Sequence, residues 1–374
     1  MPKKIVDTIL PTTMVGSYPR PPWFTQQLLG RDIRVAFKEH NYEETFVDAV
    51  TAIIRDQEEA GLDIVTDGNM WYDDYVGVIG SFCWYLYERI PGFDPSRNPH
   101  PSYVGADPSQ GKAIMDDWGG VINNGPVDSK PDTIRWVDLY EIAKKAAHVP
   151  VKVSIGAGPA NLAWHVYFNE QSHYKSAKDL TFALVPIFNK EMKALVKAGA
   201  KYLQIEDLGA WMPLFSGNDD DYKWVRESIE QMCDGVDAKI GWHFCFGNAW
   251  GNDILSASFP QGYQTVLPHF FGTEGVDEFV LDYANREMDG VEFLANLPAN
   301  QGIQVGVLDI RSNMIDQPDV IADRTRKVLK HVPAEKVTLS TDCGLKPLAR
   351  TVAKMKLKNL AEAAAIVRKE IGAG

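Results

Sequence analysis

Short runs of β-branched and apolar residues recur along the chain, each followed by a polar, glycine-containing loop and then by a stretch whose apolar positions return every three or four residues. The runs are TTMVGSY (12–18), LDIVTDG (62–68), VPVKVSIGAG (149–158), KYLQIEDLG (201–209), AKIGWHFCFG (238–247), EFVLDYA (278–284), GIQVGVLDI (302–310) and KVTLSTDCG (336–344). Residues 42–61, 180–200 and 317–332 carry the helical spacing, as a helix covering a sheet should. Two of these helices meet glycine in EEAGLD and VKAGAK, a common C-terminal stop. Eight strands alternating with helices predict a single α/β domain over residues 1–374, a (β/α)8 TIM barrel, with a doubly wound open sheet as the alternative.

The polar residues follow the same frame. Ser17, Asp67, Glu206, His243, Cys245, Asp282, Asp309 and Cys343 all fall near the C-terminal end of a predicted strand, the face where barrel enzymes keep their chemistry. Residues 92–133 are rich in Pro, Gly, Asn and Asp and break the alternation, so they read as an inserted loop, either a lid over the mouth or a plain surface excursion.

Composition narrows the classes. Hydrophobic residues make up 45% and charged residues 24% of the 374, as in a soluble globular protein. A net charge of −12 without a basic cluster argues against a nucleic-acid partner. No apolar run approaches the roughly 18–20 residues of a membrane span, and the N-terminus lacks a signal-peptide core. A cytoplasmic protein is expected, its four cysteines (Cys83, Cys233, Cys245, Cys343) reduced and either metal-bound or simply buried.

His243 and Cys245 stand two apart on one strand, so both side chains point to one face. Cys343, at the end of another strand, meets them across a barrel mouth. Two thiolates and an imidazole suit zinc, while burial as inert core explains each residue taken alone. Cys83 and Cys233 lack a motif and read as structural. His165 and His269 sit in apolar surroundings and read as core or loop residues, with His269 a proton donor if its loop covers the mouth. Trp71, Trp242, Phe244 and Trp250 either line an apolar pocket or pack the barrel.

TTMVGSYPRP, WHFCFGN and VPAEKVTLSTDCGLKPLAR together resemble the catalytic barrel of cobalamin-independent methionine synthase, over nearly the whole chain from about residue 10. The chain is similar to the short single-barrel members, the core methionine synthases, and to the epoxyalkane:coenzyme M transferases. The resemblance implies zinc held by His243, Cys245, Cys343 and a carboxylate that falls at Asp282, with Glu292 as the alternative. It implies a thiol made nucleophilic by zinc and alkylated on sulfur. Ser17 matches the family's homocysteine contact. A second contact, a glutamate, is Asn69 here, which supplies no negative charge, leaving Asp73 or Asp74 to compensate. A third, an aspartate, falls at Glu206, with Asp207 beside it. Trp71 and Asn161 complete the implied substrate pocket, and Arg311, Asp309 and Asp207 the implied catalytic set. Arg311 stands where large members carry a histidine that helps protonate folate. Arginine is a poor proton donor but a good anion binder, so a non-folate donor is expected, such as a methyl-corrinoid protein. Homocysteine and coenzyme M both remain as the thiol, and a non-catalytic zinc barrel that binds a thiol or a protein is the reading from another class.

Overall fold

Seven of the eight apolar runs form one curled parallel sheet. The computed structural model describes residues 2–24, 42–71, 83, 85–94, 121–128, 134–246 and 262–373. In chain order the strands are β1 (Val65–Thr66), β2 (Phe93–Asp94), β3 (Ile122–Asn123), β4 (Val151–Ala157), β5 (Tyr202–Glu206), β6 (Lys239–Phe244), β7 (Glu278–Asp282), β8 (Gly302–Leu308) and β9 (Val337–Thr341). The sheet runs β1-β4-β5-β6-β7-β8-β9, every pair parallel, while β2 and β3 form a separate antiparallel ribbon. The helices used below are α1 (Tyr42–Glu59), α2 (Trp136–Ala146), α3 (Pro159–Trp164), α4 (Ala177–Ala198), α5 (Asp220–Cys233), α6 (Pro318–Leu329) and α7 (Arg350–Glu370).

The eighth stave is the predicted strand 12–18, and here the structure departs from a regular ladder. Thr12 makes a single parallel bridge to Leu339. Leu339 donates its N–H to Pro11 O (2.8 Å), Thr13 donates to Leu339 O (2.9 Å), and Ile64 donates to Thr12 O (3.1 Å). The segment thus lies between β9 and the residue entering β1, closing the ring. Side chains replace missing ladder bonds: Asp63 Oδ2 accepts from Thr12 N and Oγ1, both at 2.8 Å, and Thr341 Oγ1 accepts from Val15 N at 3.1 Å. Arg368 of α7 clamps this junction, donating to Ile9 O, Leu10 O and Asp63 Oδ2.

Both predicted glycine stops hold. Gly61 and Gly199 have φ of 90° and 107°, a left-handed conformation glycine adopts without a Cβ penalty. At its other end α4 is capped by Ser176 Oγ, which accepts from Asp179 N at 3.1 Å. The 92–133 insertion is pinned at its base by the β2–β3 ribbon; residues 95–120 and 129–133, and with them the lid question, lie outside the described residues. No helix among the described residues is long and apolar enough to cross a membrane.

The barrel interior is polar from floor to mouth, where aliphatic layers are more usual. Period-two alternation sends Trp242, Phe244, Phe279 and Leu281 outward and their neighbours inward. At the floor Lys239 Nζ pairs with Glu278 Oε2 at 2.6 Å, and Tyr202 donates its hydroxyl to Glu278. One layer up, the fully buried Lys152 donates to Met14 O (2.6 Å), Gln204 Oε1 (2.5 Å) and Gln304 Oε1 (2.9 Å). Gln304 Nε2 passes on to Ser340 Oγ at 2.9 Å.

Gly306 is where β8 and β9 shift register. A Cβ there would stand 2.6 Å from the Asp342 Cα and 2.2 Å from Asp342 Oδ1. Gly306→Ala is therefore expected to destabilise the barrel by about 1–3 kcal/mol through overpacking, read as a lower thermal midpoint. An unchanged midpoint would show that the two strands part without cost.

Candidate metal centre

Residues Gly241, His243 and, one step past the strand, Cys245 share the inner face of β6. Trp242 and Phe244 take the outer face: Trp242 packs edge-on to Phe270 (4.9 Å) and donates its indole N–H to Asp207 O (3.0 Å). They fill the core between sheet and helices, so of the two readings for these aromatics packing is the one observed; Trp250 lies outside the described residues.

His243, Cys245 and Cys343 come together at the mouth, with ligand-type atoms all within 4.8 Å of one another. The two Sγ atoms stand 3.5 Å apart. Tetrahedral zinc–thiolate bonds of 2.3 Å would put two sulfurs about 3.8 Å apart, so the thiols are already near that spacing. His243 Nδ1 meets Glu206 Oε2 at 2.5 Å. Its Nε2 is buried without a hydrogen bond and stands 3.5 Å from Asp282 Oδ1. The other Asp282 oxygen accepts Phe246 N at 3.1 Å, which aims the carboxylate at the cluster. Of the two candidate fourth ligands, Asp282 is fully buried beside the histidine, whereas Glu292 is exposed on the short helix that follows β7.

Electrostatics give the same picture. Burial works to lower the His243 pKa, but the Glu206 carboxylate, with Asp282 and Cys245 beside the ring, carries it well above the ordinary imidazole value. Burial and the Cys245 charge push Asp282 upward. The hydrogen bond with Cys245, then burial, push Cys343 upward. Upward shifts of an acid and a thiol crowded around one histidine are what a cluster of anionic donors produces when their charges repel. A divalent ion relieves that repulsion and frees Nε2 as a ligand. The donor set therefore fits zinc.

Backbone amides fix the loops that carry these groups. Asp342 accepts the N–H groups of Tyr283 (2.9 Å), Ala284 (2.8 Å) and Asn285 (2.6 Å), tying the Cys343 loop to the chain leaving β7. Asp207 does the same beside β5, accepting from Ala160 (3.1 Å), Asn161 (2.9 Å) and Gly209 (2.7 Å). Burial pushes Asp207 up to about 6. Adjacent on the chain, Glu206 and Asp207 point opposite ways: only Glu206 reaches the histidine.

The other expected residues divide into two groups. Ser17 and Asn69 join the mouth. Ser17 Oγ lies so close to Gly344 that a Cβ there would be 1.9 Å away, and Leu345 N–H donates to Ser17 O at 2.7 Å. Asn69, at φ 50°, donates its backbone N–H to Asp67 Oδ1 (2.8 Å), and its amide, oriented to donate to the same oxygen, accepts Ser17 N–H at 3.2 Å. The Trp71 side chain also bonds Asp67, whose pKa burial pushes up to about 6, and packs against Tyr85 at 4.4 Å. Asn161, in contrast, is buried in the wall with its amide 3.7 Å from Cys83 Sγ. Asp309 and Arg311 form a fork, with Arg311 Nη2 2.8 Å from Asp309 Oδ2. His269 stacks on Tyr222 (3.7 Å) on the outer surface, and His165 is held down to about 3 by burial. Asp73 and Asp74 lie outside the described residues.

Sequence reading missed Lys152, Gln204 and Asp342. Gln204 had a signal: Tyr202, Gln204 and Glu206 are polar at period two in a strand otherwise apolar.

Comparison with known proteins agrees with this geometry. The family described as "Cobalamin-independent synthase, Catalytic domain" matches residues 10–86 and 109–366. The methionine synthase of Sulfolobus acidocaldarius is 30% identical over 97% of this chain and 94% of its own length. That of Saccharolobus solfataricus is 31% identical over 97% and 96%. Among solved structures, a B12-independent methionine synthase from Shewanella sp. W3-18-1 in complex with selenomethionine superposes with a TM-score of 0.77 at 25% identity, covering 98% of this chain and all of that one. The barrel is thus an established one, and this chain belongs to the cobalamin-independent methionine synthase family, matching its catalytic domain.

Proposed function

We propose that this protein transfers a methyl group to the thiol of homocysteine at a zinc held by His243, Cys245, Cys343 and Asp282. The observation that carries the reading is the meeting of two thiols, a buried carboxylate and a histidine nitrogen lacking a hydrogen bond at the C-terminal mouth of the barrel. Zinc bound there supplies a Lewis-acidic position that lowers a thiol's pKa, so that the nucleophile is present as thiolate near neutral pH. The transfer forms the sulfur–methyl bond and breaks the bond from the methyl carbon to its donor, and the thiol proton leaves to solvent.

The chain's own residues take the remaining roles. Ser17 and Asn69 present hydroxyl and amide to the amino-acid end of the substrate. Glu206, 13% exposed, keeps lone pairs for an ammonium after accepting from His243 and Gln204. Trp71 backs this subsite through Asp67, and Asn161 belongs to its wall. Asp207, with three backbone N–H groups on its carboxylate, acts as a positioning residue rather than a proton donor. Arg311, held by Asp309, is the anion-binding group toward the methyl donor, a non-folate carrier such as a methyl-corrinoid protein. Selenomethionine in the solved relative has the skeleton of the methylated amino acid, which supports homocysteine. The coenzyme M reading rests on the loss of a glutamate at Asn69 and the gain of Arg311, a cation that Asp309 already pairs. A binding barrel without turnover is separated by experiment.

Purified without chelator, the protein is expected to carry about one zinc per chain by elemental analysis. Cys343→Ser and His243→Ala should lose that zinc, and methyl transfer should fall by about 10³-fold or more, since Lewis-acid stabilisation is worth several kcal/mol. Zinc lost with no activity ever present would favour the binding barrel. In calorimetry, homocysteine should bind the zinc-loaded protein with release of about one proton, a thiol being deprotonated on binding. Heat and proton release with coenzyme M but not homocysteine would transfer the assignment to the sulfonate thiol.

A further inference from the structure

The polar ladder inside the barrel does not stop at the floor network. It climbs from Lys152 through Gln204 and Glu206 to the second nitrogen of His243. We infer that Lys152 and Gln204 are positioning residues of the metal centre, which fix the proton of His243 on Nδ1 and so leave Nε2 as the ligand atom. This rests on the zinc reading above and extends it two residues deeper into the barrel.

The argument is one of donors and acceptors. An ammonium only donates, and Lys152 uses three donations, to Met14 O, Gln204 Oε1 and Gln304 Oε1. Gln204 must therefore turn its oxygen down and its Nε2 up. Nε2 donates to Val15 O at 2.8 Å and to Glu206 Oε1. Glu206, an acceptor at both oxygens, then faces His243 Nδ1 with Oε2, and the bond needs the proton on Nδ1. With Lys152 charged, each link has one allowed direction, set three hydrogen bonds away from His243. Burial pulls Lys152 down to about 7, and the nearby Glu278 and Glu206 carboxylates pull it back up. A network serving stability alone would have no need to end on the free nitrogen of a ligand. Outer partners of metal-bound histidines commonly set tautomer and ring orientation.

The test uses zinc affinity by chelator competition, the visible spectrum of the cobalt-loaded protein, and the His243 Nδ1–H resonance by nitrogen-edited NMR. Gln204→Glu is isosteric and keeps a partner for Lys152, but sets a carboxylate against Glu206. It should weaken zinc binding about 10–100-fold, shift the cobalt bands and lose or move the Nδ1–H resonance. Lys152→Met should act in the same direction; if it fails to fold, Gln204→Glu decides. The exchanged pair Gln204→Glu with Glu206→Gln restores a donor–acceptor chain and should recover at least about tenfold of the lost affinity. Thr338→Val, at the floor beside Glu278 and outside the ladder, should change none of the three readouts. Wild-type zinc affinity and cobalt spectrum in Gln204→Glu would overturn the inference, as would an equal loss in Thr338→Val. If the wild-type protein takes up neither metal, the zinc reading fails. The ladder is then decided on the metal-free protein: an Nδ1–H resonance lost in Gln204→Glu upholds it, and an unchanged one overturns it.

Discussion

A charged amine on the axis of a barrel must have every proton accepted, because an unpaired buried ion costs several kcal/mol. Lys152 is fully buried and sits at the level where β4, β5 and β8 face one another. Its three acceptors come from the closing segment (Met14), β5 (Gln204) and β8 (Gln304), so one ammonium holds three staves. That explains how the ring closes at its weakest joint, where residues 11–15 offer one bridge instead of a ladder. It also explains why the lumen is largely polar: once a lysine is in the middle layer, glutamines must serve it, and those glutamines must in turn be served by Ser340, Tyr202 and Glu206.

Above this ladder the mouth is organised by aspartates that bind backbone N–H groups rather than side chains. Asp207 and Asp342 each take three, from the chain after β4 and after β7 respectively, with one of Asp207's coming from its own loop. Both are fully buried and both are pushed upward by burial, yet each sits one residue from a group in the cluster. The division of labour is positional. On β5 the acid that faces in touches the histidine and the acid that faces out holds a loop. In the β9 loop the aspartate holds a loop and the cysteine after it joins the site. Two glycines make these carboxylates fit: Gly158 under Asp207 and Gly306 under Asp342, where a Cβ would stand 2.2 Å from a carboxylate oxygen in each case.

This geometry shows what the sequence made legible. Alternating apolar runs and helical spacing identified the seven ladder strands within a few residues of their ends, and the eighth only as a location, because a few backbone bonds there are completed by Asp63 and Thr341 side chains that no local pattern reveals. His243 and Cys245 could be paired by period two alone. Bringing Cys343 to them took the inferred barrel and the family resemblance, since nothing local connects residues about a hundred positions apart. Glu206 and Asp207 were both placed in the site, one as a substrate contact and one in the catalytic set, although the same period-two rule that joined His243 to Cys245 separates them. Lys152 and Gln204 were passed over because polar residues were sought at strand ends, whereas here the interior positions carry the chain of hydrogen bonds.

The two departures from the family's acids become intelligible when placed on either side of one ring. The resemblance puts a glutamate where this chain has Asp282, and an aspartate where it has Glu206. Asp282 stands on the Nε2 side of His243 at 3.5 Å, and Glu206 on the Nδ1 side at 2.5 Å. One acid is a methylene shorter than expected and the other a methylene longer, so the pair keeps its combined reach across the imidazole. The carboxylate on the Nδ1 side accepts from the ring and fixes its orientation, while the one on the Nε2 side stands beyond hydrogen-bond distance, among the groups of the cluster.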